Sequence, residues 1–173
     1  MDNKTIFKRG DMFYADMPQG VGSEQSGYRP VIILQNDVGN KYSPTLIVAP
    51  LTSETHAKAK LPTHYSLKAK NGLERPSIVL LEQIITIDKQ RLKTYIGRID
   101  DKQLIGIDFA IAISFGFIDP VSKEIEIGLC NTCRDLLSNA GAFSIQSKKG
   151  SCACARCGWK DGAMYKVKLK GGF

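Results

Sequence analysis

The stretch Gly22-Ser-Glu-Gln-Ser-Gly-Tyr-Arg-Pro-Val-Ile-Ile-Leu-Gln-Asn-Asp37 constrains this chain more than any other. A glycine-rich loop delivers Arg29 to the mouth of Val31–Leu34, a continuous apolar run with the length of a strand buried on both faces. Pro30 fixes its own φ and pushes Arg29 into an extended conformation. A rigid element therefore holds the Arg29 backbone, and the guanidinium presents donors in a planar fork that matches phosphate oxygens. Thr45-Leu-Ile-Val-Ala-Pro-Leu-Thr52 follows, a second apolar run ending in a hydroxyl. If the two runs are neighbouring strands, Arg29 and Thr52 can grip one phosphate. The plainer readings are an ion pair of Arg29 with Glu24 or Asp37, and an ordinary strand-end hydroxyl for Thr52.

Further short apolar runs continue the pattern. Met12–Met17, Leu61–Leu67, Ser77–Leu81, Ile84–Ile87 and Leu92–Ile99 read as strands, and Asn36–Lys41 reads as a turn. Many short strands with turn signals between them predict a mainly β fold closed into a small barrel. One helix is expected from Asp100, with Gln103 completing a capping box. Leu104, Ile107, Ile111 and Phe115 recur at helical spacing behind it. This helix is expected to lie over one end of the barrel.

The 24 Lys and Arg against 17 Asp and Glu give a formal charge of +7. That balance favours a polyanionic partner, most simply nucleic acid. No apolar segment approaches the roughly 20 residues needed to span a bilayer, and none near the N-terminus reads as a secretory leader. A cytoplasmic protein without a membrane partner is expected.

All five cysteines lie between 130 and 157. Cys130-Asn-Thr-Cys133 and Cys154-Ala-Arg-Cys157 form two C-x₂-C pairs with 20 residues between them, at the upper edge of zinc-ribbon spacing. Each pair can supply two thiolates to a tetrahedral ion, so structural Zn²⁺ is expected on Cys130, Cys133, Cys154 and Cys157. Cys152 is a surplus thiol that could replace Cys154. Ala142–Gln146 and Tyr165–Leu169 read as ribbon strands. The composition changes near Asp119-Pro120, which divides the chain into a domain at 1–118, a linker at 119–127 and a zinc-ribbon-like module at 128–173. That module carries eight basic residues against Asp135 and Asp161. Together with Trp159 and Tyr165 they suit single-stranded nucleic acid; a solvated basic face is the alternative.

The first domain resembles a known family. Lys8-Arg-Gly-Asp11, Gly22–Asp37, Gly39-Asn-Lys-Tyr-Ser-Pro-Thr45, Ile47-Val-Ala49, Leu61-Pro-Thr-His64, Val79-Leu-Leu-Glu-Gln-Ile84 and Thr86-Ile-Asp-Lys-Gln-Arg-Leu92 are similar to MazF/PemK toxin endoribonucleases of the Gram-positive type. The resemblance implies an SH3-like barrel with a C-terminal helix, working as a homodimer. It implies metal-independent cleavage of single-stranded RNA at short sequences, leaving a 2′,3′-cyclic phosphate and a 5′-hydroxyl. It also implies a cognate MazE-like antitoxin that blocks the RNA groove. The family's catalytic arginine and threonine fall on Arg29 and Thr52, and a family loop glutamate falls on Glu24. His64 matches a position near the RNA groove.

Chemistry adds three further candidates. The Gln83 amide could read a base, and Lys58 and Lys60 could attract the RNA backbone. His56 lies in the same variable loop as these lysines. Two competing readings remain at this point. One is a non-catalytic barrel toxin acting on a protein such as DNA gyrase. The other is a zinc-stabilised RNA-binding regulator.

Overall fold

Short strands pair antiparallel throughout a computed structural model that describes residues 6–53, 61–120, 124–139 and 143–169. His56, Lys58 and Lys60 lie outside the described residues. Contacts divide the chain into two compact units, Met1–Leu104 and Ile105–Phe173. The architecture is mostly β with a few helices. Among the described residues no helix is long and apolar enough to cross a membrane.

The first unit contains β1 (Asp11–Met17), β2 (Gly27–Ile33), α1 (Asp37–Tyr42), β3 (Thr45–Ser53), β4 (His64–Leu67), β5 (Ser77–Leu80), β6 (Ile85–Asp88) and β7 (Leu92–Arg98). The order across the sheet is β4-β5-β3-β2-β1-β7, and β6 pairs β3 beside β5. Phe13, Ala15, Val31, Ile33, Leu46 and Val48 form part of the enclosed core. Val31, Ile32 and Ile33 are all fully buried, so β2 is covered on both faces, as its unbroken apolar run predicted.

One detail differs from the sequence reading. Residues 37–42 form a short helix rather than a turn, because the Asn36 side chain caps it by accepting from Gly39 N at 2.8 Å. The internal glycine disguised this helix. Asn71-Gly72 crosses directly over β7. A Cβ on Gly72 would sit 1.8 Å from Ile96 O, and one on Gly97 would sit 1.9 Å from Asn71 O.

The expected capping box is present at α2 (Asp101–Ser114). Gln103 N donates to Asp100 Oδ1 at 2.9 Å, and Asp100 N donates to Gln103 Oε1 at 3.0 Å. The apolar surface of α2 is wider than the single stripe read from sequence. Ile105, Phe109 and Ile113, each four residues apart, form a further stripe that joins the core of the second unit.

The second unit adds β8 (Glu124–Leu129), α3 (Asn131–Asn139), β9 (Phe143–Cys152) and β10 (Gly162–Leu169), with strand order β8-β10-β9. Residues 124–127, expected in the linker, are the first four of the six residues of β8. Their Glu-Ile-Glu-Ile alternation is a strand pattern that a change in composition does not mark. Leu129, Tyr165 and Val167 are buried against Ile105, Phe109 and Ile113, together with Cys130, Cys133 and Cys154. The opposite sheet face carries ion pairs, Lys166 and Lys168 with Glu124 at 2.5 and 3.2 Å, and Lys148 with Glu126. Hydrogen bonds from both lysines hold the Glu124 carboxyl below its ordinary range.

Candidate functional site

Arg29 lies on β2 opposite Ala15 of β1. On its other side β2 pairs β3 through Ile33↔Val48, Ile32↔Ala49 and Val31↔Pro50, and stops there. The reason is local. Leu34 N donates to Ile47 O at 2.9 Å, so β2 turns its even-numbered N–H groups toward β3. The next of these belongs to Pro30, which has no N–H to offer Leu51. Past this point β3 pairs β5 instead, with Leu51 opposite Val79 and Thr52 opposite Ile78.

The continued register sets Arg29 across from Thr52. Strand pleating puts Arg29 on the same face as Val31 and Ile33, and Thr52 on the same face as Pro50 and Val48. Val31, Ile33 and Val48 belong to the buried core. The cation and the hydroxyl thus extend the core-facing rows beyond the last paired position, where the strands part. Tyr28, on the opposite face, stacks on Tyr14 with ring centroids 5.2 Å apart and an interplanar angle of 3°.

The loop between β1 and β2 arranges the Arg29 head. Arg29 Nε donates to Ser26 O at 2.8 Å, and a terminal nitrogen donates to Gln25 Oε1. Neither carboxylate considered as an ion partner takes that place among the described residues. Glu24 accepts from Val21 N at 2.8 Å, while Asp37 accepts from Arg9 N at 2.7 Å. Gln25 did not stand out in the sequence. The only signal was its position in the polar run that leads into Arg29.

Gln83 and His64 both brace the site. Gln83 Oε1 accepts from Gln25 N at 2.9 Å, and its Nε2 donates to Ser23 O at 3.2 Å. Both ends of this amide therefore hold the loop that holds Arg29. His64 is buried. Its Nδ1 accepts from Leu61 N at 3.3 Å, which leaves Nε2 as the donor to Glu82 Oε1 at 3.1 Å. Thr63 Oγ1 donates to the other Glu82 oxygen at 2.9 Å. The turn between β5 and β6 thus ties β4 through Glu82 and the Arg29 loop through Gln83. A cavity of about 490 Å³ lies between that turn and the loop, lined among others by Met17, Val21, Glu24, Gln25, Gln83 and Ile84.

In the second unit the four expected cysteines come together. The sulfurs of Cys130, Cys133, Cys154 and Cys157 all lie within 4.8 Å of one another, with Cys130 and Cys157 3.7 Å apart. Tetrahedral zinc with bonds of about 2.3 Å sets its sulfurs about 3.8 Å apart, so the cluster can hold a metal ion of this kind. Burial pushes the Cys133 thiol up to about 12. At Cys154 burial acts the same way, but backbone donors at Cys130, Cys157 and Arg156 outweigh it and bring the thiol down to about 6. A divalent cation at the centre would favour the thiolate form of every ligand. Arg156 also donates to Cys133 Sγ at 3.9 Å. Cys152 Sγ lies against Gly128, where a Cβ would approach it to 2.3 Å, and is not part of the four-sulfur group.

The first unit has the sequence of one class of toxin. Residues 8–115 match the family described as PemK-like, MazF-like toxin of type II toxin-antitoxin system, and the chain belongs to that family. It is 54% identical to endoribonuclease EndoA of Bacillus subtilis over 115 residues, 66% of this chain and 98% of that protein. It is 50% identical to endoribonuclease MazF of Staphylococcus saprophyticus over 112 residues, 64% of this chain and 92% of that protein. Among solved structures, the Mycobacterium tuberculosis toxin MazF-mt6 superposes with a TM-score of 0.51 at 27% identity, covering 61% of this chain and 96% of the toxin. MazF of Deinococcus radiodurans shares the fold, with a TM-score of 0.56 at 19% identity over 65% of this chain and 99% of that one. The family match leaves 116–173, with the cysteine cluster, uncovered.

Proposed function

We propose that this chain is a sequence-specific endoribonuclease, the toxin of a type II toxin-antitoxin pair, acting in the cytoplasm on single-stranded RNA without a catalytic metal. The observation that supports this reading is the β2–β3 register ending at Val31↔Pro50, whose continuation by two positions would bring Arg29 opposite Thr52. Two relatives of at least 50% identity that carry the name endoribonuclease support it. By the same kinship it works as a homodimer, held in check by a MazE-like antitoxin. The toxin domain spans about 1–118, and the module after it is held by structural zinc on Cys130, Cys133, Cys154 and Cys157.

The chemistry follows from the side chains. The substrate's 2′-oxygen attacks its own phosphorus and gives up its proton. The bond from phosphorus to O5′ breaks, and O5′ takes a proton to leave as a hydroxyl. The product end is a 2′,3′-cyclic phosphate. Arginine is not deprotonated near neutral pH, so Arg29 stabilises negative charge on the phosphorane rather than moving protons. Thr52 donates to a non-bridging oxygen. Glu24, which borders the cavity, accepts a proton, whereas Gln25 and Ser26 perform the orienting of Arg29. Lys58 and Lys60 attract the backbone, and Gln83 and His64 hold the walls.

The test is cleavage of a long single-stranded RNA by the full chain in EDTA, with end analysis of the fragments. Short defined fragments ending in cyclic phosphate are expected. Intact RNA retained by the protein would instead favour a binding regulator.

A further inference from the structure

The turn that supplies Cys154 and Cys157 also presents a tryptophan that the core does not use. Cys154 N donates to Trp159 O at 2.7 Å, and Gly158 N donates to Cys154 O at 2.8 Å. Ala155 N ties the same turn to Gly128 O of β8 at 2.9 Å. Gly158, at φ +76°, permits the tight reversal. The backbone of Trp159 is therefore held in place, yet the residue is 62% exposed. Tyr165, the other aromatic read from sequence as a stacking surface, is 7% exposed and belongs to the core. Burying an indole is worth more than burying almost any other side chain, so folding alone does not account for a ring held outward on a rigid turn.

The charges of the module indicate what would cover it. The sheet lysines are already matched: Lys166 and Lys168 by Glu124, and Lys148 by Glu126. Arg134 is matched by Asp135. Among the described residues Lys149 and Lys160 have no carboxylate partner, and Lys160 follows Trp159 directly in the chain. Asp161 adds one negative charge beside it. An exposed aromatic face with unmatched lysines is the pairing that holds single strands, the ring stacking a base and the cations meeting phosphates. A protein-docking patch would surround the ring with apolar side chains, whereas the residues that flank it in the chain are Gly158 on one side and Lys160-Asp161 on the other.

We propose that Trp159 is a stacking platform for an unpaired RNA base, with Lys160 meeting the adjoining phosphate, so that the cysteine module gives the chain an RNA contact additional to Arg29 and Thr52. This rests on the nuclease reading only for the identity of the ligand. It implies that affinity for long RNA depends on a residue outside the family-matched region.

Trp159 is the only tryptophan in the chain, so the emission of the intact protein, excited at the red edge where tyrosine does not absorb, reports on this ring alone. The probe is a uniformly 2′-O-methylated single-stranded RNA, which lacks the attacking hydroxyl and stays whole. Saturable quenching is expected, with a midpoint that weakens as salt rises. Trp159→Ala and Lys160→Glu should each weaken retention on a filter about tenfold, and Trp159→Phe should recover most of the loss. Emission that stays constant while the filter assay shows saturated protein would overturn the proposal and leave the nuclease reading standing. So would emission that responds only to an added protein partner. Failure to bind RNA by either measure would overturn it as well. Cleavage of unmodified RNA, measured in parallel, decides the nuclease reading separately.

Discussion

Arg29 and Thr52 stand across from each other on the continued register of β2 and β3, two positions beyond the last pair, Val31↔Pro50. Had the ladder run on, theirs would be a non-hydrogen-bonded pair, the kind whose side chains lie closest. Pro30 withholds the bond that would close the strands just before it. The end of the ladder therefore has a covalent cause and is not left to loop packing. Removing a preorganised donor to a developing oxyanion costs about 100- to 1000-fold in rate, and Arg29→Ala is expected to lose that much cleavage. Thr52→Ala, which removes one neutral donor to a charged oxygen, should lose about ten- to a hundredfold. Single-turnover rates with circular dichroism as a folding control check both. A folded Arg29→Ala protein cleaving at the native rate would falsify the assignment.

Gln83 separates two accounts of the same residue. As a base reader, its loss would relax the cleavage motif. Here both ends of its amide hold Ser23 and Gln25, so it acts on Arg29 through the loop. Gln83→Ala gives up two hydrogen bonds of about 1 kcal/mol each. It should lower kcat about tenfold, with KM and the cut motif unchanged. Gln25→Ala should behave alike. Sequencing the fragment ends together with a kcat and KM determination decides the matter, and a broadened motif would restore the base-reading role.

The Asn71-Gly72 crossing of β7 makes a stability prediction. Gly72→Ala drives a methyl group into the Ile96 carbonyl at a positive φ of 89°, and Gly97→Ala drives one into the Asn71 carbonyl. In both cases backbone must move against backbone. Overpacking of this kind costs about 1–3 kcal/mol, with further φ strain of about 1 kcal/mol at Gly72. Gly22→Ala is the control, since its φ is +60° but nothing lies within 4 Å of the added carbon. Urea midpoints should fall well below the control for Gly72→Ala and Gly97→Ala. Equal midpoints for all three would show that the crossing is loose.

How much of this was legible depends on how locally each feature is encoded. The β2 run, the Asp100–Gln103 capping box and the C-x₂-C pairs are written in adjacent or nearly adjacent residues, and each appears as read. Arg29 and Thr52 could be named, but their relation lies in a register that spans two strands and a helix. The bracing contacts of Gln83 are not legible because its partners, Ser23 and Gln25, are about 60 residues away in sequence and bond through backbone groups that any residue could supply. The α2 helix was assigned one apolar stripe because a helix apolar on several sides shows no single period. Its 105–109–113 stripe becomes visible only once the second core is in place.

That second core sets the last prediction. Cys130, Cys133 and Cys154 are themselves core residues, packed with Leu129, Tyr165 and Val167. Removing a metal from this cluster would leave buried thiols whose close approach is no longer rewarded, rather than simply emptying a surface site. Zinc sites in small modules contribute about 10–16 kcal/mol to folding, far more than a unit of this size gains from its apolar residues alone. One zinc ion per chain is expected by elemental analysis. Cys133→Ser should abolish it and expose the second unit to proteolysis, whereas Cys152→Ser, outside the four-sulfur group, should keep the metal. The Arg29 and Thr52 rim lies on strands of the first unit. Cleavage of a short RNA should therefore survive the Cys133→Ser change within about threefold, a tolerance of less than 1 kcal/mol. Loss of cleavage together with the metal would place zinc in the chemistry and overturn the division of roles between rim and cluster.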